Sequence, residues 1–222
     1  MGFKYETHMH TAEVSACAVK FGAQQAVAYK HRGYTGVIIT DHFVNGYTTC
    51  PKDLPWDEKM KFFVTGYLEA KKMGDEIGLD VFLGWEYSIR GSDFLTYGLD
   101  LDFLLAHPNF DLLSIEKYSR LVRDNGGFIA QAHPYRDEYY VENPYPVAPN
   151  LIDAVEVVNS MDRIESNKKS YDFAAKNNLP MQAGTDDHGR GNPGYSGIIL
   201  EEKAKTIFDI INAIKNKNVR LI

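Results

Sequence analysis

The sequence predicts an α/β protein, one barrel of largely parallel strands over residues 1–222, on three observations. Short β-rich runs alternate with longer runs of helical period, the pattern of crossover units around a parallel sheet. Most of the short runs are almost wholly apolar, as strands covered on both faces must be. No repeat, low-complexity segment or Gly/Ser linker divides the chain, and 222 residues suffice for one sizeable core.

In chain order, a first strand covers Phe3–His8 and a helix Gly22–Arg32, stopped by Gly33. A strand at Gly36–Thr40 precedes a long helix, Asp57–Ile77, stopped by Gly78. Strands at Val81–Trp85 and Phe94–Leu99 lead to a helix at Ile115–Asn125, and Gly126 ends it before a strand at Gly127–Ala132. "YYVENPYPVAPN", Tyr139 to Asn150, has three prolines and three tyrosines and reads as a loop covering something. Then come a strand at Ala154–Asn159, a helix at Arg163–Asn177, and strands at Met181–Gly184 and Gly197–Leu200. The last helix, Lys205–Asn216, places Ile207, Ile210, Ile211 and Ile214 at i, i+3, i+4 and i+7, a stripe that faces a sheet.

The net charge of −6 argues against nucleic acid or an anionic membrane as the main partner. Cys17 and Cys50 form no CxxC pair, so neither a disulfide framework nor a cysteine zinc site is expected. The N-terminal "MGFKYETH" lacks a signal-peptide core, Glu6 rules out a myristoylation signal, and no apolar run approaches the ~18 residues of a membrane span, so a cytoplasmic location is expected.

Five of the apolar runs end in side chains able to bind a divalent metal. His8 and His10 close the first, Asp41 and His42 the second, Glu86 the third, His133 the fifth, and Asp186 and His188 the seventh. An isolated HxH is common, but parallel strands bring all their C-terminal ends to one face, so these residues should converge. His31 and His107 fail this positional test. Imidazoles mixed with carboxylates and no thiolate suit zinc, manganese or iron. Seven donors are too many for one ion, so two or three ions are expected, with Glu86 placed to bridge a pair.

In this order, "HMHT", "ITDHF", "GWEYS", "AHPYR" and "GTDDHG" resemble the motifs of the PHP family, the metal-dependent phosphoesterase domain of polymerases and histidinol phosphatase. The resemblance implies a distorted seven-stranded (β/α) barrel, TIM-like, with two or three metals at its C-terminal face. It also implies hydrolysis of a phosphate ester by metal-bound hydroxide. His8 and His10 would bind one ion with Glu86 and Asp186; Glu86 would bridge to a second ion on His133; His42 and His188 would share a third. Glu86 and Asp186 are thus the candidate catalytic ligands. The sequence departs from the family twice. Ser15 and Ala16 stand where another ligand is common, leaving Glu13 as nearest candidate, and Asp93 stands where a histidine is usual, favouring a harder ion such as manganese. Arg136 and Arg190 are the expected phosphate-binding cations, with Arg90 and Arg163 as second choices, because a guanidinium fork fits phosphate. Asp187 and Asp41 are candidate acids for the leaving group. The expected substrate is a small phosphomonoester, histidinol phosphate among the possibilities. An amidohydrolase-like hydrolase, which would need a bridging carbamylated lysine, and a noncatalytic metal-stabilised binding module are the alternatives.

Overall fold

A computed structural model describes residues 2–139, 141 and 144–222; within the expected 139–150 loop, Tyr140, Glu142 and Asn143 lie outside the described residues. One sheet runs in the order β7-β6-β5-β4-β3-β2-β1-β8-β9. Its strands are β1 (Phe3–Glu6), β2 (Gly36–Ile39), β3 (Asp80–Ile89), β4 (Ser92–Tyr97), β5 (Phe128–Ala132), β6 (Ala154–Asn159), β7 (Met181–Gly184), β8 (Ile198–Leu200) and β9 (Arg220–Leu221). The helices are α1 (Gly22–His31), α2 (Trp56–Phe63), α3 (Thr65–Ile77), α4 (Leu101–Ala106), α5 (Ile115–Asp124), α6 (Ile164–Lys176) and α7 (Ile207–Lys215).

Among the described residues, nine strands replace the seven that the resemblance implied. β1 pairs parallel with β2 and β2 with β3, as do β5 with β6 and β6 with β7. β4 is antiparallel to both β3 and β5, so those two blocks point the same way. The reversal has a local cause. Only Arg90 and Gly91 separate β3 from β4, both with positive φ (51° and 80°), and a two-residue turn of that kind makes a hairpin, whereas a parallel crossover needs a dozen residues or more. β8 and β9 add to the far edge as antiparallel strands. The sheet curls until β1 meets β7: Asp186 N–H donates to the His8 carbonyl (2.8 Å) and His10 N–H to the Asp187 carbonyl (2.9 Å). Six C-terminal strand ends therefore share one mouth.

The expected long helix is interrupted at Val64. There the Phe62 carbonyl accepts both a backbone N–H of the cap and the Thr65 hydroxyl (2.7 Å). Just beyond, Gly66 lets α3 press against the β1 and β2 ends. A Cβ there would meet the Thr11 hydroxyl and lie 2.8 Å from Asp41 Oδ2. Gly66→Ala is therefore expected to cost about 1–3 kcal/mol by overpacking, read as a lowered melting temperature, whereas Ala at an exposed helical glycine would stabilise.

The outer core fixes which way Glu86 faces. Trp85 and Tyr87 flank it on β3 and pack outward with Phe43, Phe110 and Tyr118, all fully or almost fully buried. Trp85 Nε1–H donates to the Tyr118 hydroxyl (2.8 Å), and the Tyr87 and Tyr118 rings stack at 3.9 Å. Each such ring contributes roughly 1.5–3 kcal/mol by burial. Because side chains alternate along a strand, anchoring Trp85 and Tyr87 outside commits Glu86 to the interior.

Candidate metal centre

The same alternation places Glu6, His8 and His10 on the inner face at the end of β1, opposite Glu86 of β3, His133 after β5 and Asp186 after β7. All six are buried. His42 and His188 lie towards solvent, with side chains 16% and 18% exposed, which marks the open side. Glu86 is the hub. Its Oε1 lies 3.3 Å from His8 Nε2 and 3.1 Å from His133 Nε2, and its Oε2 lies 2.7 Å from His42 Nδ1 and 3.5 Å from His10 Nε2. Asp186 Oδ1 sits 3.1 Å from His10 Nε2 and 3.3 Å from His8 Nε2.

A proton count tests whether metal fits. The Ser15 hydroxyl donates to Asp41 (2.7 Å), so it must accept from His10 Nδ1 (3.0 Å), which leaves Nε2 of neutral His10 a bare acceptor. His8 Nδ1–H donates to Glu156 (2.9 Å), so its Nε2 is bare too when the ring is neutral. These lone pairs face each other at 3.3 Å across the carboxylates. Glu86 Oε2 and His42 Nδ1 are buried without a well-formed hydrogen bond despite their proximity. Acceptors crowded around a common point need cations there, and the donors form four overlapping groups: His10/His42/His188, His8/His133/Asp186, His8/His10/Glu86 and Glu86/Asp93/His133.

The electrostatics agree. Burial would raise the Glu86 carboxyl, but His42 and His8 hold it well below its ordinary value; burial likewise opposes Asp186, which His8 and Arg136 hold down. Burial disfavours a charged His8, yet Asp186, Glu156 and Glu86 raise it well above its usual value. Burial and the neighbouring His188 and His42 instead keep His10 neutral. Metal binding would displace the His8 proton. His133 and Asp186 adopt positive φ (28° and 55°), the only two residues of the cluster to do so, a backbone cost of order 1–3 kcal/mol each that fits a functional turn.

Several expected residues fall elsewhere. Glu13 accepts from the Gly22 N–H with both oxygens (2.9 Å), capping α1, and belongs to none of the donor groups. Arg136 does reach the cluster, but its guanidinium is engaged by Asp162 (2.6 Å) and Asp186 (2.7 Å), so it orients a ligand. Arg190 lies exposed at the rim, its Nε–H donating to the Cys17 carbonyl (3.0 Å). Arg163 pairs with Glu138, and Arg90 occupies the hairpin turn. Neither leaving-group acid is available: Asp41 accepts from Thr11 and Ser15, and Asp187 from Gly189 N–H and the Tyr29 hydroxyl. Asp93 does join Glu86 and His133, because the antiparallel β4 starts at the mouth; Ser88 donates to it (2.6 Å). The 139–150 loop is tied back to β5, the Gln131 amide bonding Tyr145 O and Val147 N. His31 lies in the last turn of α1, and His107 caps α4 through the Phe103 carbonyl.

Sequence reading missed Glu156. Glu156 on β6 orients His8 through Oε1, while Oε2 accepts from His133 N–H (3.1 Å) and Asn159 Nδ2 (2.9 Å). Its place in "AVEVVN", an acid inside an apolar strand, was the available signal. Glu156→Gln puts an amide NH2 against these donors or against His8. It is expected to weaken metal affinity about 10–100-fold, measured by metal titration with far-UV circular dichroism as the folding control. Cys17 lies beside the rim, its carbonyl accepting from Arg190 Nε–H (3.0 Å), and belongs to none of the donor groups among the described residues.

No protein-family model and no curated protein matches the sequence. Solved structures do. A two-domain protein from Bacteroides vulgatus containing a predicted PHP-like metal-dependent phosphoesterase superposes with a TM-score of 0.74 at 15% identity, covering 100% of this chain and 65% of that one. A candidate metal-dependent phosphoesterase from Bifidobacterium adolescentis gives 0.60 at 16% identity, covering 98% and 97%. An amidohydrolase from Chromobacterium violaceum, solved with sulfate and no metal, gives 0.56 at 13% identity, again covering 98% and 97%. The barrel, with its mouth of imidazoles and carboxylates, thus shares the fold of these PHP-like metal-dependent phosphoesterase structures.

Proposed function

We propose that the chain is a metal-dependent phosphoric ester hydrolase acting on a small phosphomonoester. The observation that carries this reading is Glu86, one buried carboxylate contacted by four imidazoles from three chain segments, the arrangement of a bridge between ions rather than a ligand to one. His8, His10, His42, His133, Asp186 and His188 would complete the set with Asp93, holding two or three ions of zinc, manganese or iron type. Such ions lower the pKa of water and neutralise phosphoryl charge.

The chain's own residues do the rest. Asp41, through Ser15, fixes the His10 tautomer; Glu156 does the same for His8; Arg136 holds Asp186. Glu86 and Asp186 supply fixed negative charge, and Arg190 is the cation at the rim for the phosphoryl oxygens. The acidic surface disfavours nucleic acid, and no helix among the described residues is long and apolar enough to cross a membrane.

The amidohydrolase among the solved structures makes amide or lactone hydrolysis the second reading. Against it, none of the strand ends that carry the metal-competent residues ends in a lysine, and Glu86, contacted by four imidazoles, is the natural bridge. Metal analysis with a phosphate-release screen over a metabolite panel tests the choice. At least two equivalents of transition metal and release of phosphate are expected. One equivalent or less, with no release after manganese or zinc reconstitution, refutes it; turnover only of amides or lactones transfers the assignment to the second reading.

A further inference from the structure

β6 lies between β5 and β7, yet none of the four donor groups among the described residues includes one of its side chains. The strand and the turn after it instead grip the ligands on either side. Ser160 N–H donates to the Gly184 carbonyl (3.2 Å) and its hydroxyl to the Thr185 carbonyl (3.0 Å), so the turn is fastened to the backbone that leads into Asp186. Asn159 Nδ2 lies 3.4 Å from Asp186 Oδ2. Asp162 N–H closes the turn on the Asn159 carbonyl (3.1 Å), and the Asp162 carboxylate meets Arg136.

Arg136 touches both cluster residues that adopt positive φ. Its N–H donates to the His133 carbonyl (2.9 Å), closing the turn after β5, and its Nη2 lies 2.7 Å from Asp186 Oδ2 after β7. With Arg136 and Asn159 on Oδ2, Asp186 offers Oδ1 alone to the side where His10 Nε2 (3.1 Å) and His8 Nε2 (3.3 Å) converge. Strained backbone of this kind persists only where its surroundings over-determine it. The direction of the guanidinium is set in turn by Asp162, whose Oδ1 accepts from Nε–H (2.6 Å). The Asp162 side chain is 4% exposed, its Oδ2 has no hydrogen-bond partner, and Arg136 is its only ion-pair partner among the described residues. A carboxylate kept there against its desolvation cost acts on that guanidinium. Shared between two carboxylates, Arg136 gives Asp186 only part of its charge; without the Asp162 charge, Asp186 would carry the whole cation and become a poorer donor to a metal.

We propose that Asp162 is a positioning residue of the metal centre: through Arg136 it holds the two strained turns that carry His133 and Asp186 at a fixed separation and leaves Asp186 Oδ1 as the single oxygen offered to a metal. The inference rests on the metal-centre reading and deepens it.

Zinc titrated into the full metal-free chain, in competition with a chromophoric chelator, reads this role. Asp162→Asn keeps the shape and an acceptor for Arg136 Nε–H but removes the charge. Its zinc affinity is expected to fall about 10–100-fold with the far-UV circular dichroism unchanged. In an Arg136→Gln background the same substitution should cost less than about twofold, because no guanidinium is left to direct. The melting temperature of the metal-free chain should change sign between the two backgrounds. Asp162→Asn lowers it in the unmodified chain by taking a partner from Arg136, and raises it beside Arg136→Gln by removing an unpaired buried carboxylate. Should Arg136→Gln fail to fold, Arg136→Lys, which keeps the charge but lacks the fork for two carboxylates, should match the zinc loss of Asp162→Asn within about threefold. Unchanged zinc affinity in Asp162→Asn, an equal loss in both backgrounds, or unchanged affinity in Arg136→Lys overturns the positioning role and leaves the metal centre standing. No zinc bound by the unmodified chain overturns the centre and the role together.

Discussion

His10→Ala and Asp186→Asn are each expected to reduce phosphate release by more than about a hundred-fold, because removing an orienting group alone typically costs 10–100-fold in metal affinity or activity and these are the donors themselves. His10 Nε2 lies within 3.1–3.5 Å of Asp186 Oδ1, His8 Nε2 and Glu86 Oε2, so it belongs to more than one donor group. Its removal should lower the bound-metal count as well as turnover. Asp186→Asn keeps the shape but deletes the charge, and the amide cannot satisfy the imidazole nitrogens and Arg136 together. A buried guanidinium is then left with Asp162 alone, so this variant should also lose stability, whereas His10→Ala relieves crowding among three imidazoles in the metal-free protein. Turnover and metal content, measured with circular dichroism as the folding control, check both. Full metal content with wild-type turnover in either variant would refute the assignment.

The same donors show what a sequence exposes. His8, His10, His42, Glu86, His133, Asp186 and His188 were legible because apolar strands ending in polar donors locate one face of a barrel before any coordinates exist. Strand direction was not. The reading Phe94–Leu99 left a gap after Glu86 long enough to look like a loop, while Arg90–Gly91 carries the hairpin and β3 continues through Ile89. Asp93 therefore reaches the site from the start of an antiparallel strand, a position that strand-end reasoning does not cover. Glu13 and Arg136 failed for another reason. Their spacing was right, but local partners, the Gly22 N–H and the Asp162 carboxylate, took their polar atoms, and sequence distance does not record such competition.

Glu6→Gln is expected to stabilise the metal-free protein increasingly as pH rises from about 5 to 8. Glu6 is fully buried; its Oε1 accepts from the N–H groups of Thr7, His8 and Thr185 (2.8–3.0 Å), while Oε2 has no partner. Burial outweighs the hydrogen bonds and the nearby His8, and the carboxyl is pushed up to about 8 from 4.5. The sign follows from linkage. Below the unfolded value both states are protonated; between 4.5 and about 8 the unfolded chain ionises and the folded one does not, so stability falls; above about 8 the loss is complete. At 1.36 kcal/mol per pKa unit the full effect is about 5 kcal/mol, or on the order of 10 °C for a chain of this size. Gln keeps an acceptor for the three N–H groups and cannot ionise. Melting temperatures at pH 5, 7 and 8.5 in chelator should show the gap between variant and wild type widening; parallel curves would refute it. Asp41 and Asp93, also raised by burial, act on both proteins alike and cancel in the difference. A neutral Glu6 two residues before His8 also bears on the chemistry: with its proton retained, it adds no negative charge beneath the cluster, and the carboxylates at the mouth set the field that the cations meet.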